Sequence, residues 1–140
     1  MYEFLQKFHS GWAYLVLLLL VVAVVNAIIG FTGKKAFTPK DRKIALFALI
    51  FTHVQFLIGL VLYFVSPLGL KSFGQMGDKA LRLTSLEHPL INIIAIILIT
   101  IGWSKHKKLT DGTAQFKTFA IFYGVGLLLI LSRIPWSMWF

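Results

Sequence analysis

The sequence predicts an all-α membrane protein, a single four-transmembrane-helix up-down bundle, and three observations carry that prediction. Hydrophobic residues make up 58% of the 140, against roughly 45–50% in an ordinary soluble domain. They gather into four runs, at about 11–33, 44–65, 84–104 and 116–136, each close to the ~20 residues a helix needs to cross a bilayer. The connections between runs are short and rich in Lys and Arg, which is how the positive-inside bias distributes charge. The whole chain is expected to form one domain, 1–140, with no extramembrane unit beside it.

Residues 1–10 read as a short amphipathic lead-in, with Lys7, His9 and Ser10 beside Phe4, Leu5 and Phe8. The first span follows and carries no charge from Gly11 to Thr32, roughly 33 Å of helix. A signal peptide would have an apolar core of only about 7–15 residues with its positive charge in front; here the core is longer and the heavier charge follows it, so the span is expected to be retained. The stretch GKKAFTPKDRK (33–43) is the first loop, and Thr38-Pro39 ends one helix and opens the next. The second span is interrupted only by Thr52, His53 and Gln55, and Ser66-Pro67-Leu68-Gly69 closes it with turn chemistry. Residues 70–83 form the longest connection, with a turn at Gly74, Gly77 and Asp78 and an interfacial helical approach from Lys79 onward. The third span carries Glu87-His88 at its start and runs to Trp103. Asp111 or a neighbouring Thr is placed to cap the fourth span, on which Lys117 snorkels outward. Trp12, Trp103, Trp136 and Trp139 fall near the expected interfaces as an aromatic belt.

A formal charge of +9 raises nucleic acid as a partner, but the basic residues sit in the loops, which assigns them to membrane topology instead. Nine of the fourteen Lys and Arg lie on the side of the first and third loops. That side is expected to be cytoplasmic, placing both termini on the outer, periplasmic face of a bacterial inner membrane. The absence of cysteine removes disulfides, thiolate ligands, iron–sulfur clusters and covalently attached haem. No nucleophile–base pair and no glycine-rich phosphate loop is present, and no Asp or Glu lies mid-span, so hydrolases and proton-coupled transporters are poor candidates.

Histidines carry the functional signal, because an ionisable residue within a span is costly and faces protein rather than lipid. Counting at about 1.5 Å per residue from cytoplasmic edges at Gly33, Ile44 and Ser104 puts His53 roughly 14 Å up, His88 roughly 24 Å and His9 roughly 36 Å. His106 falls in a lysine-rich run and reads as a solvated loop residue. His88, Asn92, Ala95, Ile99 and Gly102 form the most polar and smallest-residue stripe of the third span. His53 has Thr52 and Gln55 beside it, and His9 begins a stripe through Ala13, Val16, Leu20, Ala23 and Ala27. Polar stripes that meet inside a bundle suit a cofactor held between helices. Haem b needs two axial ligands from opposite sides of its plane, and neutral imidazole serves; His88 can pair with His53 or with His9 on this ruler. Arg133, at the far end of the fourth span, suits a haem propionate.

The stretches His9-Ser10, THVQFLIGLVLYFVSP (52–67), Glu87-His88 and KKLTDGTAQFK (107–117) reach all four spans. On them the chain resembles a family of small four-span Bacteroidota membrane proteins labelled cytochrome b or haem-binding-like. The resemblance implies a non-covalent haem b held by a pair among His9, His53 and His88. The two-haem cytochrome b561 pattern is not met, since it needs four intramembrane histidines. Electron transfer between quinol and an outer-face partner or larger complex is the function this points to. Two alternatives stay open: a copper, iron or zinc site on His9, His53 and His88 assisted by Glu87 or Gln55, and an accessory subunit whose polar stripes only fix helix packing.

Overall fold

A computed structural model describes residues 2–66, 68–69, 74–75 and 77–134. Pro67, Lys71, Trp136 and Trp139, to which the sequence assigns turn, charge and interfacial roles, lie outside the described residues. The elements are α1 (Tyr2–Thr32), α2 (Pro39–Val65), the single turn α3 (Lys79–Arg82), a widened turn at Leu83–Glu87, α4 (His88–Lys107) and α5 (Gly112–Ser132). Four helical stretches are long and apolar enough to cross a membrane: Tyr2–Thr32, Pro39–Val65, Lys79–Lys107 and Gly112–Ser132. The outward faces agree, with Leu57 63% and Leu128 67% exposed, a surface that suits contact with lipid rather than water. The chain is an all-α four-helix bundle of the membrane kind.

Local chemistry sets the boundaries. Residues 2–10 are not a separate lead-in but the first turns of α1. Phe4, Phe8 and Trp12 follow at four-residue steps and pack ring on ring, with centroids 6.2 and 5.6 Å apart, so the helix continues through Gly11. Pro39 occupies the first turn of α2, where its missing N–H costs nothing. Asp41 accepts from the Thr38 amide at 2.9 Å and hydroxyl at 2.8 Å, and its other oxygen accepts from Asn26 Nδ2 at 3.1 Å. Asp111 caps α5, accepting from the Ala114 amide, as expected. That helix starts a turn earlier than the sequence suggested and ends at Ser132.

Pro89 explains the turn before α4. It has no N–H to offer the carbonyl of Ser85, four residues back, and its ring crowds that carbonyl. The helix widens here, so that the His88 amide donates to Leu83 O, and Tyr63 from α2 donates its hydroxyl to the freed Ser85 O at 2.8 Å.

α1 packs on α2 and on α5, α4 packs on α5, and α2 meets α4 more lightly. This closes a ring in which α1 stands diagonally opposite α4. The start of α1, the end of α2, the start of α4 and the end of α5 share one end, since His9 touches Gly59 and His88 bonds Arg133; neighbours therefore run antiparallel. The core joins Leu20, Ala23 and Ala27 to Ala45, Ala48, Ala95, Ile99 and Tyr123, all at most 3% exposed. Tyr123 donates to Ala45 O across it at 2.9 Å. Glycines set the closest approaches: a Cβ on Gly126 would lie 2.8 Å from Ile99 Cγ1, and one on Gly30 would collide with the Phe116 ring.

His106 is a correction to the sequence reading. It is 2% exposed, on the last turns of α4, with its ring centre 4.5 Å from Trp103, 4.6 Å from Phe119 and 5.8 Å from Phe37. Its Nδ1 bonds Trp103 O. Lys105, Lys107 and Lys108 are exposed while His106 points inward, because successive helical residues step about 100° around the axis. Lysine density marks the segment as interfacial, not each of its faces.

Candidate functional site

At the end of the bundle away from His106, a cavity of about 470 Å³ opens between α1, α2 and α4. Its polar wall comes from three stripes at helical spacing: His9 of α1; Gln55, Gly59 and Tyr63 of α2; Ser85, His88 and Asn92 around the start of α4. The remaining wall is largely aliphatic, including Val16, Ile93, Ile96 and Ile130.

His9 and His88 face each other from the diagonal pair of helices, ring centroids 6.5 Å apart and planes at 84°. Gly59 makes room for the first of them: a Cβ there would come within 3.0 Å of His9 Cε1. Gln55, one turn earlier on α2, donates Nε2 to the His9 carbonyl at 2.8 Å. His9 Nδ1 and Gln55 Oε1 are both buried with no hydrogen-bond partner.

His88 is fixed from a different helix. Its Nδ1 lies 2.9 Å from Arg133 O at the end of α5. Asn92 Nδ2 lies 3.1 Å from the same nitrogen; the tautomer with Nδ1–H donates to the Arg133 carbonyl and keeps the Nε2 lone pair, and the other accepts from Asn92. Asn92 donates its amide to the His88 carbonyl at 2.5 Å, which holds the first turn of α4 under the imidazole. The tautomer with Nδ1–H on a carbonyl is the one that metal-binding histidines adopt.

The other expected site residues lie elsewhere. His53 does not line the cavity: Nδ1 donates to Leu49 O at 2.8 Å and Nε2 lies 3.3 Å from Thr100 Oγ1. Two residues separate it from Gln55, a turn of about 200° around the helix, so the two cannot share a wall. Arg133 gives its carbonyl to His88 while its guanidinium bonds Ser132 O at 3.0 Å. Glu87 pairs with Arg82 at 3.6 Å. Gly59, Tyr63 and Ser85 were not singled out as site residues from sequence; the four-residue steps from Gln55, and Pro89 four residues beyond Ser85, are the signals that find them.

The donor set suits one class of metal group better than another. With metal–nitrogen bonds of about 2.0–2.1 Å, two imidazoles on opposite sides of one ion stand with ring centres roughly 6 Å apart, close to the distance observed here. An ion without a macrocycle needs three or four protein ligands. Among the described residues no three His, Asp or Glu side chains come together. A haem brings four equatorial nitrogens and asks the protein for the axial pair alone. No protein-family model, curated protein or solved structure matches this chain.

Proposed function

We propose that this chain is a membrane haem b protein that carries electrons, in which His9 and His88 would hold the haem. The observation that carries the reading is the pair of imidazoles facing each other 6.5 Å apart across the cavity, one of them with Nδ1 2.9 Å from Arg133 O. It favours haem over copper, iron or zinc because, among the described residues, no Asp, Glu or third His joins the two histidines. The cavity, at about 470 Å³, falls among ordinary cofactor pockets, which run from roughly 300 to 1,000 Å³. Bound haem supplies one-electron exchange between ferric and ferrous iron. The protein's own part is to hold the two imidazoles on separate helices and to line the space between with Ile93, Ile96 and Ile130, which keeps water away and favours a low-dielectric, low-reorganisation site.

The cavity lies at the end with fewer basic residues, so with the nine-residue basic end in the cytoplasm the site occupies the outer half of a bacterial inner membrane, both termini outside. Quinol in the bilayer is then the natural electron source, and an outer-face protein or larger complex the sink. The experiment is an absorption spectrum of the protein purified after expression with ample haem. A Soret band and a sharp reduced α band are expected at one haem per chain; their absence would overturn the reading, and metal analysis of the same sample then tests the non-haem alternative. A cytoplasm-only reporter fused after Phe140 should stay silent, and activity there reverses the orientation.

A further inference from the structure

The two imidazoles across the cavity are not equally secured. His88 Nδ1 has a carbonyl to donate to; His9 Nδ1 has no partner, although it is buried. Directly bonded to the same residue is a second buried orphan, Gln55 Oε1, whose amide nitrogen already holds the His9 carbonyl. A side-chain amide oxygen only accepts, and of the two tautomers of imidazole only the one with hydrogen on Nδ1 can satisfy it. Donor and acceptor thus stand on neighbouring side chains, each in need of the kind of partner the other supplies. An unmet buried polar group is costly, and pairing these two removes two such costs together.

From this we infer that Gln55 is the positioning residue of His9. When the cofactor proposed above is bound, His9 Nδ1–H donates to Gln55 Oε1, and Nε2 becomes the ligating atom. The geometry then repeats on α1 and α2 what α4 and α5 offer at His88: one helix carries the imidazole, and its neighbour supplies an oxygen to which Nδ1–H can donate. Gly59 belongs to the same device. With no side chain of its own it leaves room for the His9 ring, whose Cε1 and Nδ1 would lie 3.0 and 3.6 Å from a Cβ there. Gln55 touches neither iron nor substrate; it acts through the ring, by aiming it and by raising its basicity through the accepted hydrogen bond.

The inference rests on haem ligation by His9 and His88, and the test separates the two. Wild-type protein, Q55L, Q55M and Q55E are purified with haem, and haem affinity and reduction potential are measured on each. Q55L removes the acceptor, so affinity should fall about 10- to 100-fold, the range typical of lost outer-sphere partners, and the potential should rise as the ligand becomes less basic. Q55E keeps an acceptor oxygen but loses the donation to the His9 carbonyl, so it should bind haem more weakly than wild type and more tightly than Q55L, with a potential lowered in part by its charge. The rise in Q55L is what a merely structural role for Gln55 would not produce, and a second apolar variant, Q55M, decides the matter where Q55L folds poorly. A wild-type protein with no haem spectrum overturns the ligation itself. A wild-type haem spectrum, with the apolar variants unchanged in potential, overturns the assignment of Gln55 alone.

Discussion

Phe37, Trp103, His106, Phe116 and Phe119 lie ring against ring at one end of the bundle, with centroids 4.5 to 6.4 Å apart. At the other end His9 and His88 stand 6.5 Å apart across a cavity. Each end holds buried histidine, and His106 at 2% exposure is as buried as a core residue. What separates them is unmet bonding capacity. His106 has its Nδ1 on a carbonyl and aromatic faces around it, whereas His9 retains a ring nitrogen, and Gln55 an oxygen, with nothing to bond. Burial alone marks a core; burial with an orphaned donor or acceptor beside open volume marks a site.

The strongest way to break this contrast is to delete the imidazoles one at a time. His9→Ala and His88→Ala should each abolish haem binding, read as Soret absorbance per chain, while His53→Ala and His106→Ala keep it at wild-type stoichiometry. If His53→Ala loses the haem and His9→Ala retains it, the ligand pair spans α2 and α4 and the contrast has been drawn at the wrong residue.

A smaller effect sharpens it through glycine. At the packed end, Gly30→Ala drives a methyl into the Phe116 ring, and overpacking of that kind costs about 1–3 kcal/mol; thermal unfolding in detergent should show it, with the haem spectrum unchanged. At the cavity end, the Cβ of Gly59→Ala meets the His9 ring, with Cε1 nearest at 3.0 Å, and that ring borders the cavity. Its thermal stability should stay within about 1 kcal/mol of wild type, helped by the better helix propensity of alanine, while the reduced α band shifts. An unfolding loss at Gly59 as large as at Gly30 would show that both ends are equally tight.

Much of this was legible before any coordinates. Four spans, the helix break at Thr38-Pro39, the Asp111 cap and the small-residue stripe ending at Gly102 follow from local chemistry and hydropathy, which are properties of single segments. The meeting of His9 and His88 does not reduce to such properties. The depth ruler separated His9 from His88 by roughly 12 Å because it anchored span three at Ser104; α4 in fact runs to Lys107 and α1 stops at Thr32, which halves the gap to roughly 6 Å. His53 drew attention as the residue nearest the midplane, yet the step of two from Gln55 already turned it away from the wall that Gln55 lines. His106 was misjudged for a related reason: charge counts describe a segment, and a helix face is decided residue by residue. The paired orphans at His9 and Gln55 come from two helices 46 positions apart in sequence, and no local pattern encodes such a meeting.

The way each imidazole is held carries a consequence for biogenesis. His9 rides on α1 and is tied down by α2; His88 rides on α4 and is tied down by α5, and its first turn is completed only when Tyr63 of α2 reaches Ser85. The α1–α2 hairpin therefore carries both His9 and its partner Gln55, whereas the half on α4 and α5 also needs Tyr63 of α2, and the two imidazoles meet only when the hairpins dock. On the proposed reading, a cofactor held by both imidazoles would be captured only once the two hairpins have docked.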